Sequence, residues 1–279
     1  MKRLMPIALL STAAVILTTG CASVPYRYGK NIETPNMYRL PPGEPQFERG
    51  RPHAFLDASD WIWPGSLLGK LLLWDIRVDC HEVSPHTEAA LREYLEKNDI
   101  KSVKVRINQY TPRGEWHRTM RNTGMRCGWR YTLGFMSWLG YTIYPGRFFG
   151  GDNYNPYSNT INIYSDIPEV ALHEGGHAKD FADCTWKGGY AALYAYVPFA
   201  NLYHEAKATG DAIGYLIAEG KAQSRDEAYR ILYPAYGTYV GGDIAEWLPP
   251  PYSQIGSAAG AVVGHIVGRI KAANAPPFE

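Results

Sequence analysis

Residues 171–181 read ALHEGGHAKDF, which sets two imidazoles and a carboxylate at a spacing that can hold and work a divalent ion. On a helix, residues four apart lie one turn from each other on a single face. His173 and His177 would then offer two ring nitrogens to one ion, and Glu174 would aim its carboxylate at a water on that ion. Zinc makes such a water acidic near neutral pH, so a neighbouring glutamate can take its proton and pass it to a leaving group. Glu174 is therefore the candidate catalytic residue, with His173 and His177 as candidate metal ligands. Gly175 and Gly176 weaken a helix by about 1 kcal/mol each relative to alanine, a loss that is understandable if another element approaches closely there.

Two histidines leave a catalytic zinc site short of its usual three protein ligands. Three candidates exist for the third. Glu205 lies in NLYHEAKATGDAIGYL, and residues 201–216 read as a helix rich in small residues, able to pack on Gly175 and Gly176. His204 is its neighbour and shares a helix face with Asp211. Asp183 follows the histidines more closely in the chain.

HEGGH matches the HExxH motif of metallopeptidases, and Glu205 with Ala208 matches the ExxA arrangement of the glutamate-liganded zincins. Residues 84–216 thus resemble a gluzincin. The resemblance implies an α+β fold: a zincin-like domain with a small mixed sheet, an active-site helix bearing HExxH and a following ligand-bearing helix. It implies one Zn2+ per chain on His173, His177 and Glu205, with Glu174 as general base. It also implies a cleft beside the motif helix, edged by a short strand at Asn159–Tyr164 that would take an extended peptide by strand addition. Thr209 stands where such families often place an aspartate that orients a ligand histidine. Asp183 falls where metzincin-like sequences place their last ligand, but Asp180 replaces the glycine that turns their chain back.

Other residues could serve the same centre. Asp180 shares the helix face of His173 and His177 and could hold a ligand imidazole or a basic residue. A developing oxyanion needs a donor, and Tyr190, Tyr194, Tyr196 and Tyr203 all lie between the histidines and Glu205.

The elements that must position these groups are partly visible. Ser84 caps a helix to about Asn98, with Pro85 at its first position and Leu91, Tyr94 and Leu95 at helical spacing. Val103–Ile107 alternates as a half-buried strand, and Asn159–Tyr164 alternates again. Residues 129–138 and 141–149 are aromatic and punctuated by glycine, suited to hairpin strands or loops. Ser165 or Asp166 caps the motif helix, which begins near Pro168. Residues 61–74, WIWPGSLLGKLLLW, read as a core helix from Ser66 or as a helix on a membrane surface.

Residues 1–20 form an export signal: Lys2 and Arg3, an apolar run from Leu4 to Leu17, then small residues before Cys21. LTTGC resembles a bacterial lipobox, which implies cleavage before Cys21, its acylation (palmitate among the chains), and a lipoprotein. Ala22, rather than aspartate, implies the outer membrane. Residues 21–52, rich in proline, read as the lipidated cysteine and an extended tether. The hydrolase domain is expected at 53–248. Cys80, Cys127 and Cys184 allow one disulfide at most.

A proline-led tail is expected at 249–279. Gly256, Gly260, Gly264 and Gly268 recur every four residues, a stripe that resembles a glycine zipper and permits close helix approach. The stripe suits packing on the chain's own domain equally with membrane contact or self-association. A helix over 255–270 would be about 24 Å long, short of a hydrocarbon core of about 30 Å.

A net charge of +1 gives no field to gather nucleic acid, and neither GxxxxGK[ST] nor GxGxxG occurs. The expected activity is that of an envelope-anchored zinc metallopeptidase acting on peptide or protein. The alternative is a non-catalytic lipoprotein that uses the same scaffold for structure or assembly.

Overall fold

The computed structural model describes residues 26–27, 40–51, 53–59, 63–144, 146–149, 151–197, 199–249 and 252–277. Residues 1–20, expected to be a signal sequence, and Cys21 lie outside them. The fold is α+β, largely helical, with a small mixed sheet of four strands. The chain divides into two compact units, one of residues 28–71 and 75–196, the other of residues 1–27, 72–74 and 197–279.

The first unit holds the sheet. Strands β1 (Phe47–Arg49), β2 (Lys104–Ile107), β3 (Asn153–Asn155) and β4 (Thr160–Ile163) lie in the order β1-β2-β4-β3. The first three in that order run parallel, and β3 pairs antiparallel with β4. β1 falls within the stretch expected to be tether. β4 has a partner on each side, so the strand that the resemblance offered to a peptide is already filled. The edges are β1 and β3.

Among its described residues this unit also holds helices α1 (Ala54–Ser59), α2 (Pro64–Leu73, whose last residues belong to the other unit), α3 (Pro85–Lys97), α4 (Pro112–Arg121), α5 (Phe135–Ile143), α6 (Gly146–Phe149), α7 (Pro168–Asp183) and α8 (Lys187–Tyr196). α3 begins as the sequence requires: Ser84 Oγ accepts from Thr87 N at 3.5 Å, and Pro85 fills the first turn.

β2 and β4 alternate as expected, yet both faces are buried. Val105, Ile107, Ile161 and Ile163 form the apolar face. Tyr154 shares that face through its pairing with Ile161, and meets Phe181 of α7 with ring centroids 5.7 Å apart. The opposite face carries Lys104, Arg106, Thr160 and Asn162, all buried. It is covered by α4, whose Glu115 pairs with Arg106 and whose Arg118 donates to Ser158 O at 3.2 Å and Asn159 O at 2.9 Å. Charged strand residues are tolerated inside because their partners travel in with them.

The aromatic stretch expected as hairpins or loops is helical. Cys127–Trp129 passes through a π-helical turn at Arg130–Gly134 into α5. Phe135 and Trp138, three positions apart, set their rings around Trp116 of α4 at 6.0 and 4.8 Å, and Trp138 Nε1 donates to Pro112 O at 2.8 Å. Packing on α4 overrides the strand preference of aromatic residues.

The second unit contains α9 (Ala200–Ala218), α10 (Ala222–Ala245) and α11 (Tyr252–Ala273). The glycine stripe of α11 faces α10 along its whole length. A Cβ at Gly256, Gly260, Gly264 or Gly268 would run into the backbone of Gly241, Gly237, Tyr233 with Pro234, or Tyr229 respectively. Gly237 and Gly241 reciprocate on α10. The two backbones touch, and the stripe is taken up within this chain. Among the described residues no helix is long and apolar enough to cross a membrane.

Candidate metal centre

α7 carries the motif, and three contacts fix its ends and middle. At its start, neither Ser165 nor Asp166 is the cap: the N-cap is Ile167, without a side-chain bond. Ser165 Oγ instead accepts from Asp79 N at 2.8 Å. Asp166 accepts from Ser84 N at 2.9 Å, Ser84 Oγ at 2.7 Å and Thr87 Oγ1 at 2.6 Å, which ties the β4–α7 connection to the first turn of α3. Burial pushes the Asp166 carboxyl up, but these hydrogen bonds and the Arg77 charge hold it below the usual carboxylate value.

In the middle, the close approach expected at Gly175 comes from α3. A Cβ there would lie 2.7 Å from Tyr94 Cε1, and Tyr94 is fully buried. Glycine is thus required at position 175 by the residue that packs behind it.

At its end, Lys187 Nζ donates to Phe181 O at 2.7 Å, Ala182 O at 3.2 Å and Cys184 O at 3.1 Å. A buried lysine therefore satisfies the last carbonyls of α7 and sits 4.6 Å from the Phe181 ring centre. Burial lowers its pKa in spite of Cys184 and Asp183 nearby. Lys187 had a legible signal, a cation just past a helix C-terminus, which sequence reasoning passed over.

Within this frame the two histidines converge. Nε2 of His173 and Nε2 of His177 are 3.0 Å apart, with the rings nearly perpendicular. Two nitrogens bound tetrahedrally to one zinc at 2.0–2.1 Å lie about 3.3 Å apart, so the pair is spaced to share an ion with little adjustment. His177 and Glu174 are buried, and His173 is half-buried.

Of the three candidates for the third ligand, Glu205 is the one found in a group that could hold a metal ion. Ligand atoms of His173, His177 and Glu205 all lie within 4.8 Å of one another, and this group could hold a metal ion. Glu205 is 2% exposed, which for a carboxylate calls for compensation by a cation or hydrogen bonds. His204 and Asp183 are not in the group; Asp183 is exposed at the last position of α7. Two imidazole nitrogens and a carboxylate oxygen make the donor set that catalytic zinc takes with a fourth position open. Thr209, one turn after Glu205, is buried.

The surrounding tyrosines separate by position. Tyr190 donates to Asp180 at 2.8 Å, so Asp180 holds a phenol and Tyr190 is committed. Burial first, and the Asp180 charge next, push the Tyr190 hydroxyl far above its usual pKa. Tyr194 stands edge-on to His177, ring centroids 5.9 Å apart. Tyr203 is 63% exposed, and the side chain of Tyr196 lies outside the described residues. Cys80, Cys127 and Cys184 are free thiols.

Compared with protein-family models, curated proteins and solved structures, the chain finds no match in any of the three.

Proposed function

We propose that this chain is a zinc-dependent peptidase of zincin-like architecture, taking one zinc per chain on His173, His177 and Glu205. The observation that carries the reading is the convergence of those three ligand atoms within 4.8 Å, with Glu174 one residue from the first histidine. Bound there, zinc would supply a Lewis acid for a carbonyl oxygen and lower the pKa of a water. The chain's own residues do the rest. Glu174 accepts the water's proton at its carboxylate and returns it to the leaving nitrogen. Tyr194, beside His177, donates its hydroxyl to the developing oxyanion. Tyr94, Asp166 and Lys187 hold α7 so that both imidazoles keep their aim. An extended peptide would add to a sheet edge; among the described residues β3 is the edge that adjoins β4 and, through Tyr154 and Phe181, α7. The lipobox-like LTTGC further supports a lipid on Cys21 and a place at the outer membrane.

Digestion of casein or a quenched peptide library tests the activity. Hydrolysis should stop with 1,10-phenanthroline and return with added zinc. Tyr194→Phe should lower kcat by roughly 10²–10³-fold, the usual worth of an oxyanion donor, with KM little changed. Hydrolysis indifferent to the chelator would overturn the reading.

A further inference from the structure

The outer face of α11 plays no part in the chemistry above, and it is unusual for a face exposed to water. Helical spacing sets Ile255, Ala258, Ala259, Val262, Ile266 and Ile270 on the side opposite the glycines. All are exposed, the four large ones by 51–56%. Arg269 lies within the same strip, Lys271 follows it, and α11 has no acidic residue. Trp74, 61% exposed, stacks on His265 of α11 at 3.9 Å and lies under the Arg269 guanidinium at 4.8 Å. The stack is fixed in place. His265 Nε2 donates to Leu72 O at 2.9 Å, and Nδ1 accepts from Arg269 at 2.7 Å. Trp247, just before α11, is 65% exposed.

A second observation comes from the other end of the chain. Tyr26 packs on α9: its ring meets Tyr215 at 5.9 Å, and a Cβ on Gly214 would come within 2.5 Å of Tyr26 Cβ. The segment expected to be a long tether is thus fastened to this unit at residue 26. Cys21 is five residues upstream, so it lies at most about 18 Å from Tyr26.

We propose that this unit lies on an anionic lipid surface through the outer strip of α11 and Trp74, held there by the short leash from Tyr26 to Cys21. The leash rests on the lipid-anchor reading; the strip does not. Ile255, Val262, Ile266 and Ile270 enter the headgroup boundary, tryptophan takes its preferred interfacial depth, and Arg269 and Lys271 meet lipid phosphates. A second copy of α11 is a poorer occupant, because it would bring two more cations and no acid to the strip.

Residues 21–279 carrying Cys21→Ser, which leaves the strip without its lipid, should float with vesicles containing about 30% phosphatidylglycerol, and less well in high salt. Val262→Ser with Ile266→Ser should weaken flotation at least about tenfold while the melting temperature stays put, since both side chains are exposed. Failure to float, or flotation indifferent to the double substitution, overturns the proposal. A concentration-dependent dimer dissolved by the same substitutions also overturns it and makes a second copy the occupant. Palmitate labelling of Cys21 in cells tests the leash separately: flotation without labelling keeps the strip and overturns the anchor.

Discussion

Glu174→Gln should keep the metal and lose the hydrolysis. The substitution preserves shape in a buried position, and Glu174 is not among the three ligand atoms that converge. What an amide cannot do is accept a proton from water. General acid–base groups contribute roughly 10²–10⁴-fold, so kcat/KM should fall by that factor while zinc content stays level. Assay and metal analysis on one preparation check both halves. Normal turnover by the variant would remove the mechanism; loss of metal would show Glu174 to be a ligand.

The largest effect on stability is expected at the polar face of the sheet. Glu115 is fully buried, pairs with the 2%-exposed Arg106, and accepts from Asn155 at 3.1 Å and from Ser158. Glu115→Ala would leave a buried guanidinium facing a void and cost about 3–5 kcal/mol. Domains are typically stable by only about 5–15 kcal/mol, so a large part of the first unit's stability would go. Glu88 also pairs with two arginines, Arg49 at 2.7 Å and Arg92 at 2.9 Å, but at partly exposed positions. Glu88→Ala should cost about 1 kcal/mol or less, because solvent screens such pairs. Urea denaturation of the two variants measures the contrast. Equal, small losses would mean that the polar face of the sheet is not held by this pair.

What was legible in the sequence was local. Ser84 and Pro85 mark the start of α3, Pro168 the start of α7, and the alternation in NTINIY marks β4, since caps and periodicity depend on near neighbours. Glu205 stood beside His204 and Asp183 as a candidate in the sequence, and only Glu205 is in the group that could hold an ion. What stayed hidden depends on partners distant in the chain. Lys104 and Arg106 look like the wet side of a strand until Glu48 and Glu115 arrive to cover them. Residues 129–143 have aromatics too closely spaced to show a period, and packing on Trp116 decides that they form helix. Ser165 and Asp166 look like caps for the helix they precede, yet their oxygens turn to Asp79, Ser84 and Thr87. The glycines of α11 are open to several partners in sequence; only the matching glycines of α10 select one.

The centre itself has a direct test: zinc equivalents per chain after loading and exhaustive dialysis, for the native chain, His177→Ala and Glu205→Ala. One equivalent in the native chain, with most of it lost in each variant, is the outcome that follows from three converging donors. A native chain that retains no zinc, or a Glu205→Ala chain that holds a full equivalent as tightly as before, would contradict it.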